Sequence, residues 1–234
     1  MDIHPSDRHV SLWVVNAGAN GTPVSYSVNQ VYKNKTRDEQ GNEVIEYVDN
    51  LGRTILKRVQ VVTGTPAVND ANYASTYYIY DDFGSLVCVI PPEATSRLAA
   101  EYFQSGATDA TKDAFLKRWA FRYAYDSRVR MIQKQVPGAT PVYMVYDDRD
   151  RLIFSQDGNQ RAVNKWSYIQ YDVLNRPVIT GLYTHGSAVD QATMTTYVRS
   201  WMTTFYETLN IGTTHGYTNN MFSSSNLTQV VLKY

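Results

Sequence analysis

Short apolar runs separated by polar turn residues recur along this chain. The clearest case lies at residues 142–156, where residues 143–146 and 152–154 are of types that favour β-strands. Between them, residues 147–150 are short and polar, and such residues hydrogen-bond their own backbone or tolerate a positive φ. This pattern of strand, turn and strand predicts a β-hairpin.

Six copies of the turn can be aligned on an aspartate and on the residue three positions later. The aspartates are Asp38, Asp49, Asp81, Asp126, Asp147 and Asp172, and the fourth positions are Gly41, Gly52, Gly84, Val129, Asp150 and Asn175. A tyrosine directly precedes four of these aspartates; the four tyrosines are Tyr80, Tyr125, Tyr146 and Tyr171. Gly, Asn and Asp accept the left-handed backbone of a type I turn that closes into a bulged hairpin. Val129 does not, which predicts a different turn or local strain there.

Helical spacing of apolar residues interrupts the strand pattern in two places. The first lies within residues 93–121, where Thr108 or Asp109 is a candidate N-cap. The second is predicted at residues 189–209. The prediction is a mainly β protein whose inserted helices pack on one face or edge of the sheet.

Residues 1–234 are predicted to form one unit, because no linker-like segment divides them. We predict an N-terminal hairpin at residues 8–36, repeats at 38–182, and a helical insertion with a final strand at 187–234. The last residues form an apolar, strand-like run, so we expect a fragment of a longer polypeptide. Exposed strands near both ends would permit a dimer by edge pairing.

The repeats resemble those of the Rhs/YD-repeat family. In that family, the dipeptide Tyr-Asp is followed by any two residues, then by Gly or a substitute, then by Arg and an apolar residue. Residues 77–84, 143–152 and 166–177 are similar to the version in large Bacteroidetes surface or secreted Rhs proteins, as are residues 91–94 and 157–161. The resemblance covers residues 38–234; it departs from the pattern at Val129 and in lacking a tyrosine directly before Asp38 and Asp49.

The resemblance implies antiparallel hairpins stacked in a curved, spiralling sheet that closes into a hollow shell. In bacterial polymorphic toxins and insecticidal toxin complexes of this family, such a shell encloses a C-terminal effector. The implied function is a non-enzymatic scaffold segment of a secreted or cell-surface protein, partnered by the remainder of its parent chain. The implied structural residues are Tyr80, Asp81, Gly84, Tyr125, Asp126, Tyr146, Asp147, Asp150, Arg151, Tyr171, Asp172, Asn175 and Arg176. We expect each aspartate to fix its own turn and each tyrosine to stack on the next copy.

Charge and cysteine content limit the classes of partner. The chain has 22 Lys plus Arg and 22 Asp plus Glu, hence no formal net charge, and no basic field to attract nucleic acid or an anionic membrane. The single cysteine, Cys88, permits no internal disulfide and is predicted to be a small buried hydrophobe. We expect no signal peptide and no membrane span, since no apolar run approaches about 20 residues.

The residues offer little catalytic chemistry. The carboxylates of residues 147–150 suit a divalent cation, but the ligand spacing of a calcium loop is missing, so a repeat turn is the favoured interpretation. The histidines, His4, His9, His185 and His215, lack the spacing of zinc ligands, and Glu93 and Glu207 are isolated. We predict no metal, no cofactor and no catalytic residue. A hydrolase, the weakest hypothesis, would need a pocket that joins His185 or His215 to a carboxylate.

A binding module is the alternative function. Nineteen tyrosines and four tryptophans offer rings on which a sugar or a protein ligand could stack, and Trp166, Tyr168 and Tyr143 are the candidate stacking residues. The competing interpretation is that these rings pair across strands and stabilise the sheet. Exposed rings would support carbohydrate or protein binding, whereas buried rings would support a scaffold.

Overall fold

A computed structural model describes residues 11–16, 19–25, 30–62, 72–213, 216–222 and 227–231. Its strands are β1 Ser11–Asn16, β2 Ala19–Ser25, β3 Val31–Arg37, β4 Glu43–Asp49, β5 Thr54–Gln60, β6 Tyr73–Tyr80, β7 Leu86–Ile90, β8 Phe121–Tyr125, β9 Met131–Gln135, β10 Val142–Tyr146, β11 Leu152–Gln156, β12 Lys165–Tyr171, β13 Pro177–Thr184 and β14 Leu227–Val231. Its helices are α1 Pro92–Arg97, α2 Asp109–Trp119, α3 Gly158–Ala162 and α4 Gln191–Trp201. A π-helical turn, Leu98–Tyr102, follows α1.

Twelve strands form one antiparallel sheet in which strand order follows chain order from β3 to β14. Each strand therefore pairs with its neighbours in sequence, as consecutive hairpins do. The predicted mainly β fold with inserted helices is confirmed. The hairpin predicted at residues 8–36 is divided: β1 and β2 pair with each other in a separate two-stranded sheet, whereas β3 pairs with β4. Residues 8–10, 17–18 and 26–29 lie outside the described part of the chain.

The helices between β7 and β8 match the prediction for residues 93–121. Thr108 is the N-cap of α2, and its side-chain oxygen accepts a hydrogen bond from the Thr111 backbone N–H at 3.3 Å. The second predicted helix, at residues 189–209, is too long. α4 ends at Trp201, and Met202 has an extended ψ of 100°, because the following residues bond to the sheet rather than to α4.

Packing groups the chain into two compact units. The first comprises Met1–Tyr123 with Val136–Gly138, and the second comprises Ala124–Gln135 with Ala139–Tyr234. The first unit buries Tyr47, Leu56, Ile90 and Tyr102, and the second buries Ile153, Phe154, Trp166, Tyr168 and Met194. In β4 and β6, buried and partly exposed residues alternate, as expected when only one face of a sheet is covered.

Candidate functional site

The carboxylate of each repeat aspartate closes its own turn. At Asp147, Oδ1 accepts hydrogen bonds from the backbone N–H groups of Arg149 and Arg151, both at 2.9 Å. Its Oδ2 accepts from Arg151 Nε at 2.8 Å. The turns of Asp49, Asp126 and Asp172 repeat this set of bonds with Arg53, Arg130 and Arg176. One carboxylate therefore satisfies two backbone donors and fixes the arginine four positions later.

Two copies lack that arginine. Asp81 accepts only from the backbone N–H groups of Phe83 and Ser85. Asp38 accepts from the Gln40 and Asn42 backbones and from the Asn42 amide. The backbone half of the turn is therefore common to all six copies, whereas the arginine half is present in four.

The hydrogen bonds outweigh the cost of burying the carboxylates. Burial alone would raise the pKa of Asp49, Asp126 and Asp172, but bonds from the backbone and guanidinium of their arginines hold each pKa below its ordinary value. These aspartates are consequently ionised throughout the neutral range, and their lone pairs are occupied within the turn.

The fourth turn position is left-handed in every copy. The φ angles are 86° at Gly41, 78° at Gly52, 83° at Gly84, 60° at Val129, 63° at Asp150 and 61° at Asn175. Val129 keeps the common turn and therefore takes the strain, since a β-branched residue is disfavoured at positive φ.

Consecutive copies are joined by a contact between the turn arginine of one and the tyrosine of the next, which we call the staple. Arg53, Arg130 and Arg151 lie over the rings of Tyr80, Tyr146 and Tyr171, with 4.8, 5.0 and 4.6 Å between guanidinium carbon and ring centroid. Each tyrosine hydroxyl donates to the carbonyl of the residue after that arginine, at Thr54, Met131 and Leu152, over 3.0, 2.9 and 2.9 Å. Each tyrosine thus contacts the preceding copy, not the next copy as expected from the sequence.

The fourth turn position also takes part in these contacts. Arg130 Nη1 donates to the Asp147 carbonyl at 2.9 Å and to Asp150 Oδ1 at 2.8 Å. Arg151 Nη1 donates to Asn175 Oδ1 at 3.0 Å. Asp and Asn at this position therefore tolerate the left-handed backbone and also accept a hydrogen bond from the arginine of the preceding copy. Glycine tolerates the backbone but has no side chain to accept that bond.

Two of the predicted structural residues, Tyr125 and Arg176, lie outside these three staples. Tyr125 follows a copy whose fifth residue is Ser85 rather than arginine. Arg176 bonds Asp172, and its side chain is 64% exposed. No aromatic ring covers it within the described ranges, so Arg176 presents an open guanidinium face.

A segment after α4 covers two turns of the second unit. We call residues 202–213 and 216–222 the strap. The Arg149 guanidinium lies 5.0 Å from the Phe205 ring centroid, and Arg151 Nη2 donates to the Phe205 carbonyl at 2.6 Å. The Glu207 backbone N–H donates to the Tyr171 carbonyl at 2.7 Å. These bonds explain why the helix predicted to residue 209 stops early.

The buried side chain of Glu207 joins distant parts of the strap by hydrogen bonds. Its carboxylate is fully buried and accepts from Thr218 Oγ1 at 2.6 Å and from the backbone N–H groups of Asn220 and Met221 at 2.8 and 2.7 Å. From the sequence, Glu207 was predicted to be an isolated carboxylate. Its partners lie more than ten positions away along the chain, so no local pattern could have indicated this role.

The candidate ligand-stacking rings are not available as platforms. Trp166 and Tyr168 are 0% and 1% exposed in the core of the second unit, because they point to the covered face of β12. Tyr143 is half-buried, and the Arg161 guanidinium lies 4.2 Å from its ring centroid. Burial therefore contradicts Trp166 and Tyr168 as sugar-stacking residues, and the rings contribute to packing.

The other candidate groups form no catalytic constellation among the described residues. His185 Nδ1 lies 3.0 Å from the Ser187 carbonyl, and its ring stacks on Tyr197; His4, His9 and His215 lie outside those residues. Burial raises the pKa of Cys88 to about 12, which keeps the thiol protonated. In the described part of the chain, no three His, Cys, Asp or Glu side chains are placed to hold a metal ion, and no helix there has the length and hydrophobicity to span a membrane.

Comparisons with known proteins give matches among solved structures only. No protein-family model and no curated protein matches the sequence. The Photorhabdus luminescens Tc holotoxin pore matches with 16% identity and a TM-score of 0.45, over 66% of this chain and 6% of that chain. The crystal structure of TcdB2–TccC3 matches with 13% identity and a TM-score of 0.45, over 82% of this chain and 10% of that chain. This chain thus spans a tenth or less of the length of these structures.

Proposed function

We propose that this chain is a scaffold segment of a larger secreted or cell-surface Rhs-type protein, in which it forms part of the wall of a β-shell. The observation that carries the proposal is the staple, which occurs three times with the same partners. A single hairpin cannot bury its own apolar face, whereas stacked copies bury a continuous one. The staple adds a directional bond between copies on top of that packing.

The chemistry of the site supports a structural role. The polar groups of the motif are occupied by one another: carboxylates by backbone and guanidinium donors, and tyrosine hydroxyls by carbonyls. A catalytic acid, base or nucleophile needs a group that can change partners during the reaction. The motif residues instead fix the geometry of the turns and their spacing.

The partner in this proposal is the rest of the parent polypeptide, including a C-terminal effector that the shell encloses or presents. Both ends of the strand order suit such a continuation. β3 and β14 are the outermost strands of the larger sheet, and each has one edge on which a further strand can add. The open face of Arg176 has the form that a following tyrosine covers in three other copies.

Cryo-electron microscopy of the natural parent polypeptide tests the proposal. We expect β3 and β14 each to pair with a strand from the rest of the chain and the sheet to continue around an enclosed space. A free-standing domain, with both edges in solvent and no enclosed space, would contradict the scaffold function.

A further inference from the structure

The strand β3 has one edge bonded to β4 and a second edge that is open. It is an outermost strand of the larger sheet. The two strands that precede it in the chain, β1 and β2, pair with each other in a separate sheet and contact β6 and α2. Within the described ranges, no strand pairs with the outer edge of β3. That edge therefore presents a row of backbone donors and acceptors to which a further strand can bond.

The turn after β3 shows which residues point to the open edge. The Asp38 backbone N–H donates to the Asn42 carbonyl at 3.0 Å, and the Asp38 carbonyl accepts from the Gly41 N–H at 3.0 Å. Both backbone groups of Asp38 thus point towards the β4 side. Along an antiparallel strand, successive residues direct these groups alternately to the two neighbours. The even-numbered residues of β3 therefore bond to β4, and the odd-numbered residues direct their N–H and C=O groups to the open edge.

The same odd-numbered residues carry a row of positive charge. They are Val31, Lys33, Lys35 and Arg37, and their side chains share one face of the sheet because alternate residues of a strand point to the same side. Lys35 and Arg37 both pair with a single carboxylate, that of Glu43. Three cations beside one carboxylate leave two positive charges that Glu43 does not balance.

We propose that the open edge of β3 binds an extended segment of the parent polypeptide that carries carboxylates at alternate positions. In an antiparallel pair, as elsewhere in this sheet, each carboxylate would stand directly opposite Lys33, Lys35 or Arg37, where opposite charges attract. The backbone bonds supply affinity, and the row of cations selects an acidic segment. That the segment belongs to the parent rests on the proposed function, whereas the chemistry of the edge does not.

A second copy of this chain does not fit the edge. Its own β3 would bring a matching row of cations, and like charges opposite one another repel. Its other outer strand, β14, consists of Leu, Thr, Gln, Val and Val and contains no acidic residue. The charge pattern therefore favours a different strand over self-association.

A synthetic peptide tests the proposal on the purified chain. The probe is Thr-Glu-Thr-Glu-Thr-Glu-Thr, capped at both ends, whose palindromic pattern is the same in either direction. We expect a Kd of about 1 mM or below by NMR titration. Amide hydrogen exchange at Lys33, Lys35 and Arg37 should slow about tenfold when the peptide is present at about ten times its Kd, because only the free fraction exchanges. The even-numbered amides of β3, already bonded to β4, should not change.

Two matched controls separate the pattern of charge from its amount. The peptide Thr-Thr-Glu-Glu-Glu-Thr-Thr has the same composition but can place only its central carboxylate on the cationic face, so it should bind about fivefold more weakly. Lys33→Gln should weaken binding of the alternating peptide about threefold. Lys57→Gln should leave it unchanged, since Lys57 lies on β5, inside the sheet, with a side chain 40% exposed. Circular dichroism checks that both variants fold.

Three outcomes would overturn the proposal. Absence of binding would show that the edge does not accept an acidic strand. Equal affinity for the two peptides, with unchanged exchange at the odd-numbered amides, would show attraction by net charge without strand addition. A single-stranded oligonucleotide that binds more tightly than the alternating peptide would make the row a nucleic-acid surface instead. Each of these would leave the wall function standing, because cryo-electron microscopy of the parent tests that function separately; a free-standing domain there would leave the peptide result standing.

Discussion

At the scale of single residues, the aspartate performs two separable tasks in the four repeat turns that contain the arginine. Its first oxygen accepts two backbone N–H groups and so fixes the turn; its second pairs with the arginine that reaches the next copy. Asp147 and Arg151 are both buried, with side chains 0% and 9% exposed. Removing one member of a buried ion pair is costly because the other charge is left unpaired. The two tasks therefore contribute very differently to stability.

Substitution of the aspartate by asparagine separates these tasks. In Asp147→Asn the amide oxygen still accepts from the Arg149 and Arg151 backbones, but the NH₂ group faces the Arg151 guanidinium, donor against donor. We expect a loss of about 3 kcal/mol in the free energy of unfolding. Asp81→Asn is the matched control, because Ser85 replaces the arginine, and it should cost less than about 0.5 kcal/mol. Urea denaturation measures both; equal losses would show that the arginine pair adds no stability.

At the scale of elements, local sequence patterns predicted the hairpins, because each turn is closed within five residues. The aspartate, the left-handed fourth position and the flanking strands are visible in any window of that length. The direction of the staple was not visible, since Arg151 and Tyr171 are 20 positions apart. Only the register of β11 against β12 brings them together. The tyrosine was consequently assigned to the wrong neighbour.

The helices show the same division between local and tertiary causes. Thr108 or Asp109 was predicted as the cap of α2; Thr108 is the cap, and its partner Thr111 lies only three positions away. α3 was missed although its signature is local: Asp157 and Gln160 form a capping box. The strap could not have been predicted, because apolar residues at helical spacing continue to residue 209. Bonds from Phe205 and Glu207 to the sheet override that spacing.

The strap gives a prediction at this scale. In Glu207→Gln the amide oxygen can still accept from the backbone N–H groups of Asn220 and Met221. The amide NH₂ group, however, replaces the oxygen that accepts from Thr218 Oγ1, and the negative charge is lost. We expect a loss of about 2 kcal/mol, felt first as local opening of the strap. Amide hydrogen exchange should accelerate at Asn220 and Met221 while β11 and β12 stay protected. Thr218→Val keeps the carboxylate but removes the 2.6 Å bond to Glu207 and the 2.9 Å bond that Thr218 Oγ1 accepts from the Thr208 backbone N–H. It should give a smaller effect at Asn220 and Met221; unchanged exchange in both variants would contradict the role of Glu207.

At the scale of the whole molecule, the larger sheet has two outer strands, and β3 is one of them. Lys33, Lys35 and Arg37 lie at alternate positions on the same face of β3 as the buried Val31. An antiparallel dimer of two β3 strands centred on Asn34 would place Lys33 opposite Lys35 of the partner, and like charges in that position repel. The dimer predicted from the sequence is therefore disfavoured at this edge. A strand with acidic residues at alternate positions would fit β3 better.

Glu43 anchors that edge and makes stability depend on pH. Its side chain is 2% exposed and accepts from Arg37, from Lys35 at 2.6 Å and from the Tyr73 hydroxyl at 3.1 Å. The Arg37 and Lys35 hydrogen bonds lower the pKa of Glu43 from 4.5 to about 2. A carboxyl with a depressed folded-state pKa stabilises the fold above its unfolded pKa and loses that contribution as pH falls through the folded value.

We therefore expect Glu43→Gln to cost about 2 kcal/mol at pH 7, a value reduced by solvent screening because Lys35 and Arg37 are half exposed. The difference between wild type and variant should persist down to a pH of about 4.5 and shrink towards zero near pH 2. Urea denaturation across this range measures it, with Glu39→Gln, an exposed glutamate four positions earlier, as the control whose curve should follow the wild type. A difference that does not change between pH 7 and pH 2 would mean that Glu43 stabilises the edge by packing alone. The charged row of Arg37, Lys35 and Glu43 would then not be what holds β3 on the sheet.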